Sequence, residues 1–78
     1  MNQYHVDGNW QRMMDDSPML QRLVRLHTGM VVGRILRGPV STHFTAETYN
    51  KGAWQAHGQH DSYDDALRAV VQAAQLVR

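Results

Sequence analysis

The side chains best suited to metal chemistry lie in one short segment, His57-Gly58-Gln59-His60-Asp61. Two imidazoles three residues apart beside a carboxylate can hold a metal ion when the chain folds back on itself. A zinc site would need a further ligand from His43 or Asp64. The alternative is a polar loop whose Asp61, together with Ser62, caps the helix that follows. We expect this second arrangement, and therefore neither a metal nor another cofactor.

No other pattern in the sequence indicates catalysis. There is no nucleophile elbow, no glycine-rich phosphate loop and no pair of carboxylates placed for acid–base chemistry. The segment Gly29-Met30-Val31-Val32-Gly33 lacks the helix that must follow a dinucleotide-binding fingerprint. We therefore expect a protein that is not an enzyme.

The composition indicates one small cytoplasmic domain. The chain has 78 residues, no cysteine and a formal charge of +1. Without cysteine it has no disulfide and no zinc–thiolate site, which is typical of cytosolic chains. The near-neutral charge gives no strong attraction toward nucleic acid or an anionic membrane. No apolar run approaches the roughly 20 residues of a membrane span, and the first residues lack the pattern of a signal peptide.

The C-terminal segment predicts a helix that begins after Ser62, which serves as the N-cap. Asp64 and Asp65 in its first turn complement the helix dipole, and Asp64–Arg68 forms a favourable pair worth about 0.3–0.5 kcal/mol. One apolar stripe runs along it at helical spacing, formed by Tyr63, Ala66, Leu67, Val70, Val71, Ala74 and Val77.

Three strands are predicted before this helix, at Met30–Arg37, Thr42–Tyr49 and Ala53–His57. Gly38-Pro39 separates the first two, and Asn50-Lys51-Gly52 forms a hairpin turn before the third. These short connections give an antiparallel meander.

Side-chain alternation predicts which way each residue of the second strand points. Phe44 and Ala46 face the helix, and the outer face carries His43, Thr45, Glu47 and Tyr49. Gly33 inside the first strand indicates a bulge or a close packing contact.

The N-terminal residues leave more than one interpretation open. Ser17-Pro18 is a good helix start, and the apolar spacing that follows predicts a helix over Pro18–His27. The alternative is a strand over Leu23–His27 that turns at Thr28-Gly29. Residues 1–16 form an arm, in which a helical turn would bring Trp10, Met13 and Met14 together. This arm either covers the core or offers Trp10 to a partner.

These elements predict an α+β fold: a three-stranded antiparallel meander packed on a C-terminal helix, with an N-terminal helix and arm. Residues 17–78 would form a single α-β-β-β-α domain, preceded by the arm of residues 1–16.

The run His43-Phe44-Thr45-Ala46-Glu47, a turn, Trp54, Gly58 and the segment Asp61 to Ala69 resembles the three-strands-then-helix domain of AP2/ERF transcription factors. It is similar also to the arm-binding N-terminal domain of tyrosine recombinases. These resemblances imply a sheet that lies in the DNA major groove, with Arg34 and Arg37 in the places of the strand arginines.

With the N-terminal helix added, the order of elements resembles the double-stranded-RNA-binding domain. That family has lysines at the start of its last helix, whereas this chain has Asp64 and Asp65, which would repel phosphate.

The function we expect is protein binding without catalysis. In size and character the chain resembles small phage or mobile-element accessory proteins, including anti-CRISPR inhibitors, which implies steric occlusion of a host protein complex. The residues expected to contact the partner are Arg34, Arg37, Tyr49, Lys51, Trp54 and Trp10. The alternative is a nucleic-acid-binding module that uses the sheet face.

Trp54 has two interpretations, set by the register of its strand. It belongs to the core if Ala56 faces the helix, and in the other register it is exposed beside Arg34 as a binding anchor. Pairing of an exposed strand edge would also give a homodimer.

Overall fold

The computed structural model describes residues 3–14 and 16–76. They form a six-stranded antiparallel sheet with one C-terminal helix packed on it, an α+β fold. The elements are β1 (Tyr4–Val6), β2 (Gln11–Arg12), β3 (Leu20–Leu26), β4 (Val31–Arg37), β5 (Phe44–Asn50), β6 (Ala53–His60) and α1 (Tyr63–Leu76). The strand order is β1-β3-β4-β5-β6, and β2 pairs with β3 further along the edge that β1 occupies.

The predicted meander is confirmed as β4, β5 and β6, with one difference at its end. Strand β6 runs on to His60, so the loop expected over 57–61 is mostly strand. The β5–β6 register shifts between Thr45 and Glu47, so that His57 and Gly58 together oppose Ala46. Gly58 has a φ of 90°, the left-handed value that such a bulge favours in glycine.

The helix predicted over Pro18–His27 is wrong, because this segment forms strand β3. Its apolar residues fit a helical spacing, but Leu20, Val24 and Leu26 also lie on one face of a strand. As a strand the segment pairs with β1 and β2 on one side and with β4 on the other. This pairing satisfies its backbone on both edges, and tertiary context of this kind overrides a weak local preference for helix.

The alternative interpretation of this segment, a strand that turns at Thr28-Gly29, is closer to the structure. The turn is closed by the Gly29 amide, which donates to the Leu26 carbonyl at 2.8 Å, and by the Leu26 amide, which donates to Met30 at 2.9 Å. Gly29 has a φ of 95°.

The N-terminal residues belong to the sheet. Tyr4 lies opposite Leu26 and is buried, with 8% of its surface exposed. The helical turn expected around Trp10 is not formed, because Gln11 and Arg12 are the two residues of β2 and pair with Gln21 and Leu20.

The C-terminal helix is confirmed, and so is its cap. The Asp65 amide donates to Ser62 Oγ at 3.1 Å. Arg68 pairs with Asp65 at 3.4 Å, three residues before it, so the predicted pair with Asp64 is wrong. Within residues 3–14 and 16–76, no helix is long and apolar enough to cross a membrane.

The core lies between α1 and the inner face of the sheet. Ala66, Val70 and Ala74 of the predicted stripe are at most 1% exposed, while Val77 lies outside the described residues. The sheet contributes Val24, Val32, Ile35 and Ala46 to this cluster. Phe44 packs against the same cluster, so the predicted direction of Phe44 and Ala46 is confirmed.

Gly33 lets the helix lie close to the sheet. A Cβ atom at this position would lie 2.7 Å from the Glu47 carbonyl oxygen and closer still to Val70 Cγ1. The close packing contact predicted for Gly33 is therefore confirmed.

Candidate functional site

The face of the sheet opposite α1 carries the candidate site, and we call it the outer face. Ile35 and Ala46 pair with each other and point into the core, so Arg34 and Glu47, one residue along, point the other way. No helix or strand of the described chain lies over this face. It holds an open groove of about 450 Å³, lined by Gln21, Leu23, Val31, Arg34, Tyr49 and Trp54.

Arg34 is fixed at the centre of the outer face. Its Nε donates to Glu47 Oε1 at 2.7 Å, and its Nη1 donates to Gln21 Oε1 at 3.2 Å. Its Cζ lies 3.9 Å from the centroid of the Trp54 ring, in a cation–π contact. Three neighbours on three strands therefore hold the guanidinium, and only 14% of the side chain is exposed.

Tyr49 and Trp54 form an exposed aromatic pair beside Arg34. They are directly opposite one another on β5 and β6, with ring centroids 4.8 Å apart. Tyr49 is 40% exposed and Trp54 is 36% exposed. The exposed register of Trp54 is therefore the one found, and its assignment to the core is wrong.

The hairpin turn explains this register. Only Lys51 and Gly52 separate Asn50 from Ala53, and both have positive φ, at 53° and 81°. Such a two-residue turn makes Trp54 the partner of Tyr49 and puts both rings on one face. Lys51 lies exposed at the tip of this turn.

The arginines near this face are matched by carboxylates. Glu47 neutralises Arg34, and Asp7 Oδ1 lies 2.9 Å from Arg25 Nε. The hydrogen bond that Arg25 donates to Asp7, together with the charge of that carboxylate, raises the pKa of Arg25 above its ordinary value. The outer face therefore combines exposed aromatic surface with nearly balanced charge, which suits a protein partner better than phosphate.

Two predicted contact residues do not lie on the outer face. Arg37 is three residues from Arg34 in an unbroken strand, so alternation sends it to the inner side. There its Cζ lies 5.3 Å from the Trp10 ring, which packs against Phe44 and Tyr63. Trp10 is partly buried against the core, so the arm covers the core in this structure.

The histidine segment does not converge on one point. His57 Nε2 and Thr48 Oγ1 are hydrogen-bonded at 2.7 Å, and His60 Nε2 donates to the carbonyl of His57 at 3.3 Å. His43, one of the residues considered as a further ligand, pairs instead with Asp61 at 3.0 Å. Across residues 3–14 and 16–76, no three His, Asp or Glu side chains are grouped as metal ligands.

Three residues of the groove escaped the sequence-based prediction: Gln21, Leu23 and Val31. Gln21 and Leu23 were placed on a helix, where they would not share a face with Tyr49. No clear period-two signal assigned them to a strand, because Arg22 interrupts the apolar series Leu20, Val24 and Leu26.

Comparison with known proteins gave no match: no protein-family model, curated protein or solved structure is significantly similar to this chain.

Proposed function

We propose that this chain is a non-enzymatic module that binds a partner protein through the outer face. The observation that carries this proposal is the exposed Tyr49–Trp54 pair, which lies beside the immobilised Arg34. Tyrosine, tryptophan and arginine are the residues that most often dominate the energy of a protein interface.

The arrangement supports binding because little order would be lost on association. Arg34 is already held by Glu47, Gln21 and Trp54, so a partner need not immobilise it. Leu23 and Val31 give the groove an apolar floor. A standard interface covers about 800 Å² per partner, which is about 15% of the 5191 Å² surface of this protein.

The proposed mode of action is steric: the bound chain blocks a surface of its partner protein. The chain has 78 residues and no catalytic pattern, so it would act by covering a surface that another molecule needs. The resemblance to phage and mobile-element accessory proteins of the anti-CRISPR type supports a host protein complex as the target. The matched charges of Arg34 and Arg25 favour a protein over a nucleic acid as the partner of the outer face, because phosphate contacts there would need free cations.

The test is affinity capture from the source cell, followed by mass spectrometry. Bait proteins are the wild type, a variant with Tyr49→Ser and Trp54→Ser, and a control with Val40→Ser. Val40 is 93% exposed and does not line the groove, so the control changes an apolar surface of another region. We expect one protein to be enriched by the wild type and the control and lost with the double variant.

The captured partner and a short DNA or RNA duplex are then titrated over a range of salt concentrations. A protein interface of balanced charge should change its affinity little, whereas a phosphate interface loses affinity linearly in the logarithm of salt concentration. Tight duplex binding with that slope that is lost in the double variant, or capture unaffected by the double variant, would overturn the proposal.

A further inference from the structure

On the inner side of the sheet, next to the start of α1, three aromatic rings and two arginines form what we call the aromatic–arginine cluster: Trp10, Phe44, Tyr63, Arg22 and Arg37. Trp10 lies 6.3 Å from Phe44 and 6.1 Å from Tyr63, measured between ring centroids. Phe44 and Tyr63 are 6.0 Å apart. The rings thus form a closed triangle that fixes the position of each member.

Both guanidinium groups face the same indole. The Cζ atoms of Arg22 and Arg37 lie 5.7 Å and 5.3 Å from the Trp10 centroid. Arg22 is anchored further, because its Nε donates to the Asp7 carbonyl at 2.9 Å and its Cζ lies 5.2 Å from the Tyr63 ring. Two positive charges are therefore held at one site by contacts with aromatic rings and a backbone carbonyl.

The contrast with other arginines of the chain is clear. Arg25, Arg34 and Arg68 each have a carboxylate oxygen between 2.7 and 3.4 Å away. Among residues 3–14 and 16–76, neither Arg22 nor Arg37 has a carboxylate within ion-pair distance. The Nε of Arg37 is also buried without an acceptor from that part of the chain. A buried charged donor without an acceptor is costly, which is a specific reason to expect a ligand.

We infer that the aromatic–arginine cluster binds a phosphate group between Arg22 and Arg37. The Nε of Arg22 is occupied by the Asp7 carbonyl, and the Nε of Arg37 is buried. The donors that remain for a phosphate are therefore the Nη–H groups of the two guanidinium groups. A phosphate has enough oxygens to accept from two such forks, whereas a carboxylate is satisfied by one. The charge of a phosphate dianion also matches that of the two arginines.

One acidic group of α1 works against this site. Asp64 follows Tyr63 directly, and its charge contributes to the raised pKa of that phenol, after the larger effect of burial. Asp65 is engaged by Arg68. Removal of the Asp64 charge should therefore strengthen phosphate binding, and Arg37→Gln, read against the Arg34→Gln control, separates a local site from general attraction of anions.

The test uses Trp10 as its own reporter. A Trp54→Phe background leaves Trp10 as the only tryptophan, since the chain has two. Its fluorescence is followed while sodium phosphate replaces sodium chloride at constant ionic strength and neutral pH. We expect a saturable change that Arg37→Gln weakens at least about tenfold, because hydrogen bonds to charged groups are strong. Asp64→Asn should strengthen it.

Arg34→Gln is the matched control, since it also removes an arginine from β4 but on the outer face, and phosphate binding should be unchanged. The two proposals can thus fail separately. A short DNA duplex is titrated in the same way. Tighter, Arg37-dependent binding of the duplex would support the site and assign its phosphate to nucleic acid.

Folding of the variants does not limit the test. Arg37→Lys keeps the charge but lacks the fork, and should bind with intermediate affinity. In the wild type, NMR detection of the Arg37 Nε–H group should show a phosphate-dependent shift. The inference is overturned if Trp10 fluorescence shows no saturable response to phosphate, or if Arg37→Gln responds as its parent does.

Discussion

Replacement of Gly33 by alanine tests how closely the sheet and helix pack. The new Cβ atom would lie 2.7 Å from the Glu47 carbonyl oxygen and 3.6 Å from Thr48 Cα, with Val70 Cγ1 nearer still. The carbonyl belongs to the β4–β5 ladder, in which Gly33 pairs with Thr48, so it cannot withdraw without disturbing the strand pairing. Val70 is fully buried and has little room to rotate away.

The expected cost of Gly33→Ala follows from two opposing effects. Overpacking a filled core costs about 1–3 kcal/mol, and contact with backbone favours the upper part of that range. Alanine also lowers the conformational entropy of the unfolded chain, which adds about 0.4–1 kcal/mol to the free energy of unfolding. We expect a net loss of about 2 kcal/mol in the free energy of unfolding, which lowers Tm by roughly 8–16 °C in a domain of this size.

The measurement is urea unfolding followed by circular dichroism. Gly8→Ala is the control, because no atom lies within 4 Å of its Cβ position and its φ is not positive. It should leave stability unchanged or raise it by up to about 1 kcal/mol. Val70→Ala opens a cavity that the new methyl at position 33 partly fills, so the double variant should lose less than the sum of the single losses. If Gly33→Ala unfolds within about 0.5 kcal/mol of the wild type, the close packing argument fails.

Three further outcomes are expected from local features of the fold. Ser62→Ala removes the acceptor of the Asp65 amide and should cost about 0.5–2 kcal/mol in urea unfolding, with Ser62→Asp as the control that restores a cap. Burial raises the pKa of Tyr63 above its ordinary value of 10.0. The contribution of the neutral phenol to stability is therefore fully present below pH 10.0, and it is lost as the pH rises beyond that value. Tyr63→Phe should therefore lose less stability than the wild type in alkaline buffer, and parallel losses would contradict the assigned burial. Gly52→Ala places a side chain at a φ of 81° and should cost about 1 kcal/mol, whereas Lys51→Asn should be neutral or stabilising because asparagine tolerates positive φ.

The C-terminal half was predictable because its signals are local. The Ser62 cap, the acidic first turn and the apolar stripe that includes Val70 all lie within one helix, and the β5–β6 turn is encoded by Lys51-Gly52. The direction of Phe44 and Ala46 followed from alternation within a single strand. None of these inferences needed knowledge of a distant segment.

The N-terminal half was not predictable in the same way. Ser17 is a good helix cap, and its hydroxyl does accept a local hydrogen bond, from the Met19 amide at 3.1 Å. The segment after this bond is nevertheless a strand, because β3 pairs with other strands on both sides. One of these partners is the three-residue strand β1. A strand so short has no periodicity of its own to detect, so the sequence could not reveal the pairing that decides β3. The wrong assignment of Gln21 and Leu23 to a helix follows from the β1–β3 pairing that the sequence did not reveal.

The roles of the arginines depend on neighbours that a count of charges does not reveal. Arg34 and Arg37 both lie on β4. The resemblance to AP2/ERF domains implied that both would contact DNA from the same face of the sheet. Three residues of alternation separate them onto opposite faces, where Arg34 meets Glu47 and Arg37 meets Trp10. A neutralised cation beside exposed aromatic rings is suited to a protein surface. A pair of cations that has no carboxylate partner within residues 3–14 and 16–76 is suited to an oxyanion. Any phosphate recognition by this chain should therefore depend on Arg22 and Arg37 and be insensitive to Arg34, which is the reverse of what a groove-binding sheet would require.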